Sequence, residues 1–249
     1  MGLFDKIFGN REKIEKTNIR DHYKGEKYFS KEIVRFSDII KETIQETNLN
    51  AFNYWAISAK YQQIISLKFS LGIPVFQIVE DYSSALNYYI KGWDEKEATY
   101  ADMLLMISLG ILFQVSDGDF EQLVEYVRKT DANKRLNNWH PDGLIWFLLN
   151  SRSSHQSKAT EILFPRIYGS LYEITKLSKP DAESALEKYL EKWYNLHKGD
   201  PWYNTHERDR GYCGYWAWEV AAVVKVMGLN DSRFKDNIYY PYDMVHWKE

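Results

Sequence analysis

Residues 211–246, GYCGYWAWEVAAVVKVMGLNDSRFKDNIYYPYDMVH, gather the side chains that hydrolytic chemistry uses. Cys213 is the chain's only cysteine and a candidate nucleophile, with His246 as base and Asp243 as the carboxylate that orients it. Such a set works only if folding brings thiol and imidazole within hydrogen-bond reach. Glu219 stands among tryptophans and alanines, where burial would raise its pKa and suit it to act as a general acid. Glu219 with Cys213 or His206 in an aromatic pocket defines the alternative function for this chain, a small-molecule hydrolase.

The same residues have a structural reading, and it is preferred. From Tyr215 to Met227 only Glu219 and Lys225 are charged, so a helix here is apolar nearly all round and belongs in a core. Cys213 is then a small core residue. A carboxylate on such a helix is costly unless it is paired or hydrogen-bonded. Arg208 and Arg210 just upstream, or the tyrosines of YYPYD, are the expected partners that would make Glu219 a structural clasp.

Elsewhere the chemical signals are thin. His140 in NWHPDG and His206 in HERDR lack a second ligand at metal-binding spacing, and HExxH, a glycine-rich phosphate loop and GxSxG are all missing. No catalytic set, metal or cofactor is expected. One cysteine excludes an intramolecular disulfide and a cysteine-cage zinc site, as suits a reducing cytosol. The start MGLFDKIFGN lacks a secretory apolar region, and Lys6 stands where a myristoylation motif has Ser or Thr, so a cytoplasmic protein is expected. Leu3, Phe4, Ile7 and Phe8 could form a short amphipathic turn, although a frayed terminus is the simpler expectation. The most apolar run, MLLMISLGILFQV at 103–115, is too short to span a bilayer and reads as a buried helix, so no stable membrane insertion is expected.

The elements that must position these residues are helices, since strand alternation is nearly absent. Tyr28, Ile33, Phe36, Ile40 and Ile44 give residues 20–48 one apolar face. A second helix carries Ile57, Tyr61, Ile64 and Ile65 and should stop at Gly72, with Pro74 opening a third that keeps Val75, Ile78, Tyr82, Leu86 and Tyr89 on one face. A fourth opens at Asp94, with Glu97 completing a capping box, and a fifth at Ser116–Asp119. Further helices are expected near 158–177, over Asp181–Lys198 after Pro180, and across the apolar stretch that Gly228 ends. Short connections make neighbours antiparallel. The expected fold class is all-α: antiparallel helical hairpins stacked into two packed subdomains, residues 18–130 and 156–249. A hinge over 131–155 joins them, and residues 1–17 form an N-terminal extension.

Charge is distributed unevenly. With a net charge of -3 over 249 residues the chain as a whole gives no reason to expect direct nucleic-acid binding. Yet Glu80–Glu125 holds ten acidic residues against two lysines, whereas the first 35 residues hold nine basic against six acidic. Helix starts account for part of this acidity. The remainder suits a surface that meets a basic partner, because opposite charge steers association. Asp94, Glu95, Glu97, Asp117, Asp119 and Glu121 are the candidate contacts, expected at neighbouring edges of one surface.

Three stretches carry a family resemblance: IRDHYKGEKYFSKEIVRFSDIIKE, AKYQQIISLKFSLGIPVFQIVEDYSSAL, and above all GYWAWEVAAVVKVMGLNDSRF followed by YYPYDMV. From about residue 18 the chain resembles the bacterial PoNi immunity proteins, which accompany PoNe nuclease toxins of polymorphic toxin and type VI secretion systems. Tyr215, Trp216, Glu219, Ala221, Ala222, Asp231, Pro241 and Asp243 match the C-terminal pattern, while MGLFDKIFGN lies outside it. The resemblance implies an all-helical, non-enzymatic protein that binds a cognate DNase toxin in the cytoplasm and blocks it. The motif residues would then build the core, and the oligomeric state stays open.

Overall fold

The computed structural model describes residues 18–248, which hold ten α-helices, two short 3-10 turns and no strand. Helix α1 (Glu26–Ile44) buries Phe29, Ile33, Phe36 and Ile40 at spacings of three and four, the amphipathic stripe its sequence shows. Asn50 and Asn53 form a reciprocal capping box that starts α2 (Ala51–Leu71). Gly72 ends α2 in the left-handed conformation at φ 89°, where the backbone of Asn18 lies too close to leave room for a side chain. Pro74 opens a 3-10 turn over Val75–Gln77 rather than the next helix, and α3 (Val79–Lys91) packs back along α2.

Helix α4 (Tyr100–Leu112) starts six residues later than the D-x-x-E pattern predicts. Asp94 Oδ1 accepts the Lys96 N–H at 2.7 Å, a local turn that competes with helix, so Asp94, Glu95 and Glu97 lie in the preceding loop. The expected capping box at Asp94 does not form. Ser116 does cap α5 (Asp117–Ala132), its Oγ accepting the Asp119 N–H at 3.1 Å. Within the stretch expected to be a hinge lies α6 (Gly143–Asn150), capped by Asp142 and buried at Leu144, Ile145, Trp146, Leu148 and Leu149. It packs against α4 and against two later helices, α7 (Pro165–Ile174) and α9 (Trp218–Met227).

Helix α8 (Lys179–Leu196) has Pro180 in its first turn and buries Ala182, Leu186, Tyr189, Leu190 and Trp193. Tyr215–Ala217 are not helical, so α9 is shorter than its apolar stretch; Gly228 ends it at φ 60°. The YYPYD segment turns into the short α10 (Tyr242–His246). Helices α4 and α9, both buried on nearly every side, lie against one another at the centre, which is how a helix apolar all round is accommodated.

Chain ends and motif are tied together. Arg20 donates from Nε to Asp243 at 2.6 Å and from Nη1 to the carbonyls of Phe69 and Ile73 at 3.0 Å each. Tyr28 donates to the Tyr212 carbonyl at 3.2 Å and accepts the Tyr212 N–H at 2.9 Å, and Trp247 Nε1 donates to the Leu112 carbonyl at 2.9 Å. Among the described residues no helix is long and apolar enough to cross a membrane. The amphipathic turn expected from Leu3, Phe4, Ile7 and Phe8 lies outside the described residues.

Candidate functional site

The C-terminal motif is mostly framework. Gly214, at φ 102°, brings the chain so close to Ser70 and the Trp216 indole that a Cβ would overlap both. Trp216 donates from Nε1 to Ser70 Oγ at 2.9 Å, and the rings of Trp216 and Trp218 stand edge-on to Phe69 at 4.8 and 5.1 Å. Ala221 and Ala222 are fully buried. Asp231 accepts from Tyr240 at 2.7 Å and faces His246 Nε2 at 2.9 Å, while Pro241 precedes α10 and Asp243 takes Arg20.

These commitments dissolve the nucleophilic set. His246 is turned to Asp231 and Asp243 to Arg20, so neither is available to Cys213. Burial pushes the Cys213 thiol up to about 12, and the charges that act on it are those of Glu32, Lys60 and Arg35. Cys213 is partly buried rather than a full core residue. His206 is held by Tyr215, whose hydroxyl lies 2.9 Å from Nδ1, and its ring lies tilted against that of Tyr23 with centroids 4.4 Å apart.

Glu219 is different. It opens α9, is 8% exposed, and lines a cavity of about 310 Å³ between α2, α4, α8 and α9. Neither Arg208, Arg210 nor a YYPYD tyrosine reaches it; its partner is the indole of Trp193, which donates from Nε1 to Oε1 at 2.5 Å. Loops carry the arginines to an exposed face, and the tyrosines are used elsewhere. Burial raises the Glu219 pKa above the usual carboxylate range, and the nearby His197 and the Trp193 N–H only partly offset it.

His197, the residue after α8, also lines the cavity. Its ring is 4.9 Å from that of Trp193, and Nδ1 lies 2.6 Å from Asp200 Oδ2, the geometry of an N–H donated to a carboxylate. Its Nε2 is buried with no hydrogen-bond partner among the described residues. Asp102, the first-turn acid of α4, also lines the cavity; it accepts from Trp55 Nε1 at 2.7 Å, and burial raises its pKa as well, with that N–H opposing. Trp202, Tyr215, Trp216 and Trp218 complete much of the wall, and Ala101 and Gly211 are exposed at its rim. Asp102, His197 and Asp200 escaped sequence reasoning. For Asp102 a signal existed, since an isolated carboxylate opens the apolar run YADMLLMISL as Glu219 opens WEVAAVV; for His197 only the fold supplies one.

The six acidic candidates are not brought to one surface. Glu95 pairs with Arg135, and its carbonyl accepts from Asn133 at 2.7 Å, which places the 94–97 loop at the C-terminal end of α5. Asp117, Asp119 and Glu121 are at the other end, where Asp117 pairs with Arg152 at 2.7 Å. Sixteen helical residues separate the ends by roughly 24 Å at 1.5 Å per residue. The expectation of neighbouring edges assumed a helix starting at Asp94; with α4 starting at Tyr100 it fails. Glu95, Glu97, Asp117 and Glu121 are exposed, and Asp94 and Asp119 are partly buried.

Two family models match the chain. The N-terminal model of the PoNe immunity proteins (PoNi) matches residues 6–125, and the C-terminal model matches residues 140–244. The chain belongs to the PoNi family. The match begins at residue 6, so it reaches into the extension that was expected to lie outside the family pattern. The unmatched stretch between the two regions covers the end of α5 and the loop before α6. The cavity is built from both matched regions, Asp102 belonging to the N-terminal one and His197 and Glu219 to the C-terminal one. A crystal structure of protein PA2201 from Pseudomonas aeruginosa is similar in fold, with a TM-score of 0.69 at 17% identity over 94% of this chain and 91% of that one. Comparison with curated proteins gives no match.

Proposed function

We propose that this chain is a bacterial immunity protein that binds a cognate nuclease toxin, a DNase of the PoNe type, and neutralises it by forming a protein–protein complex in the cytoplasm. The observation that carries this reading is the pair of family matches, which together run from residue 6 to residue 244. In this reading the toxin belongs to a polymorphic toxin or type VI secretion system, and the chain protects without chemistry of its own and without touching nucleic acid.

The molecule is physically suited to that work. A buried framework of tryptophan and tyrosine leaves exposed acids free to vary, and a DNA-cleaving partner carries the basic surface that phosphates require. Glu95 and Glu97 at one end of α5, and Asp117 and Glu121 at the other, are proposed as toxin contacts in two separate patches, with Asp94 holding the Lys96 amide and Asp119 accepting from the capping Ser116 hydroxyl. The purified chain, added to the nuclease encoded beside it, is expected to abolish DNA cleavage at about one equivalent. Undiminished cleavage at excess, with no complex on size-exclusion chromatography, overturns the proposal.

A further inference from the structure

We propose that the cavity between α2, α4, α8 and α9 is a binding site for an organic cation, an alkylammonium or guanidinium group, held by Glu219, Asp102 and His197 between tryptophan walls. This goes beyond the immunity reading and stands on the cavity alone.

Three features of the cavity select the ligand. First, the two acidic side chains on the wall are acceptors, set among neutral groups such as Gln62, Ser108 and Thr205 that can donate or accept. Glu219 and Asp102 are carboxylates that each receive one indole N–H, from Trp193 and Trp55, which leaves further lone pairs on each. His197 has Nδ1 2.6 Å from Asp200 Oδ2, and its Nε2 is buried on the wall without a hydrogen-bond partner among the described residues, a bond left for a ligand to make. Carboxylates with lone pairs to spare are satisfied by a ligand that donates, which describes an ammonium or a guanidinium. Second, no lysine or arginine is on the wall among the described residues, so nothing there neutralises the two carboxylates or would receive an anion. Third, the walls are aromatic. Trp193, Trp202, Trp216 and Trp218 present rings of the kind that attract a desolvated cation. At about 310 Å³ the space is at the small end of the roughly 300–1,000 Å³ range of ligand pockets and accommodates a side-chain-sized group.

The other candidates are weaker. The Cys213 thiol is pushed up by burial, and Glu95 and Asp117, near the two ends of α5, are exposed and paired with arginines.

The cation could be a free small molecule or the tip of a basic side chain presented by a protein, and both have the same chemistry. The probes are therefore n-butylammonium and n-butylguanidinium, titrated into the full chain and followed by tryptophan fluorescence and calorimetry, with 1-butanol and butyrate as matched neutral and anionic controls. Saturable binding of the two cations, and of neither control, is expected. Glu219→Gln and, separately, Asp102→Asn should each weaken it by roughly tenfold or more, about the worth of one charge-assisted contact, while leaving circular dichroism unchanged. If one variant fails to fold, the other decides. Absence of saturable cation binding overturns the proposal, as does equal binding of 1-butanol or unchanged affinity in a folded variant. A nuclease competition assay then separates the sources: displacement of the toxin by n-butylguanidinium assigns the cation to a toxin side chain, and binding without displacement assigns it to a free ligand.

Discussion

The molecule buries two glutamates at the same motif and treats them differently. Glu32, on α1, is 1% exposed and fully engaged: Arg35 grips it through Nε at 3.0 Å and Nη2 at 2.5 Å, and the Gly211 N–H donates to it at 2.9 Å. Burial alone would raise its pKa, but Arg35, the Gly211 amide and Lys31 together outweigh burial and the net shift is downward. Glu219, on α9, has one neutral indole donor, and there burial prevails and the shift is upward. Glu32 fastens the first helix to the motif loop. Glu219 is held by Trp193 and faces a cavity with bonding capacity to spare.

The largest expected effect tests whether the framework shared by both glutamates is a core. Trp216→Ala and Trp218→Ala should each lose about 3–5 kcal/mol of stability, because a buried indole leaves a cavity that its neighbours cannot fill. Denaturant unfolding measures it, and unchanged midpoints for both would remove the framework.

Next in size is the loss of each glutamate's partner. Arg35→Ala strips the cation from Glu32 and should cost about 2–4 kcal/mol, below the cost for a fully buried pair because Arg35 is itself partly exposed. Trp193→Phe keeps the ring packing, removes the N–H from Glu219 and should cost about 1–2 kcal/mol. A reversed order, read by thermal melts, would break the contrast between clasp and site.

The pH dependence sharpens it further, since the two shifts have opposite signs. For Glu32, whose folded pKa is lowered, the stabilisation is complete above the ordinary value of 4.5 and is lost as pH falls below it. Glu32→Gln should therefore be destabilised at pH 7 and approach the unaltered protein in acid. For Glu219, whose folded pKa is raised, the neutral form is favoured below 4.5 and stability is lost as pH rises from there through the folded value. Relative to the unaltered chain, Glu219→Gln should gain as pH rises. Repeating the melts in a His197→Gln background separates this slope from the influence of His197. Parallel slopes for Glu32→Gln and Glu219→Gln would sink the distinction.

The smallest stability effects are expected at the acidic ends of α5. Glu95→Lys breaks an exposed pair with Arg135 and should change stability by less than about 1 kcal/mol, and Glu121→Lys by less still. Their effect belongs in association. Each should slow binding of the cognate nuclease most at low salt, and because the two ends of α5 are far apart the effects of the two reversals should add. Unchanged association rate and salt dependence for one of them removes that patch from the proposed interface.

Much of this protein was legible in the residue order. Apolar spacing placed α1, α2, α3 and α8, Ser116 marked the start of α5, and Gly72 and Gly228 marked helix ends, because each of these signals is local: a stripe of period 3.6, a side chain reaching its own backbone, a residue tolerant of positive φ. The family resemblance was carried by the same order of residues. Where two local signals competed, the outcome was not legible. Asp94 had both a capping partner at Glu97 and a shorter turn to Lys96, and the turn formed, which moved the start of α4 and with it the 94–97 acids to the far end of α5. The site at Glu219 was decided by tertiary structure alone. Its donor Trp193, the neighbouring His197 and Asp102 come from α8, the turn after it and α4, and nothing in the spacing of residues along a chain determines which helices meet, at what distance, and whether the space between them is filled.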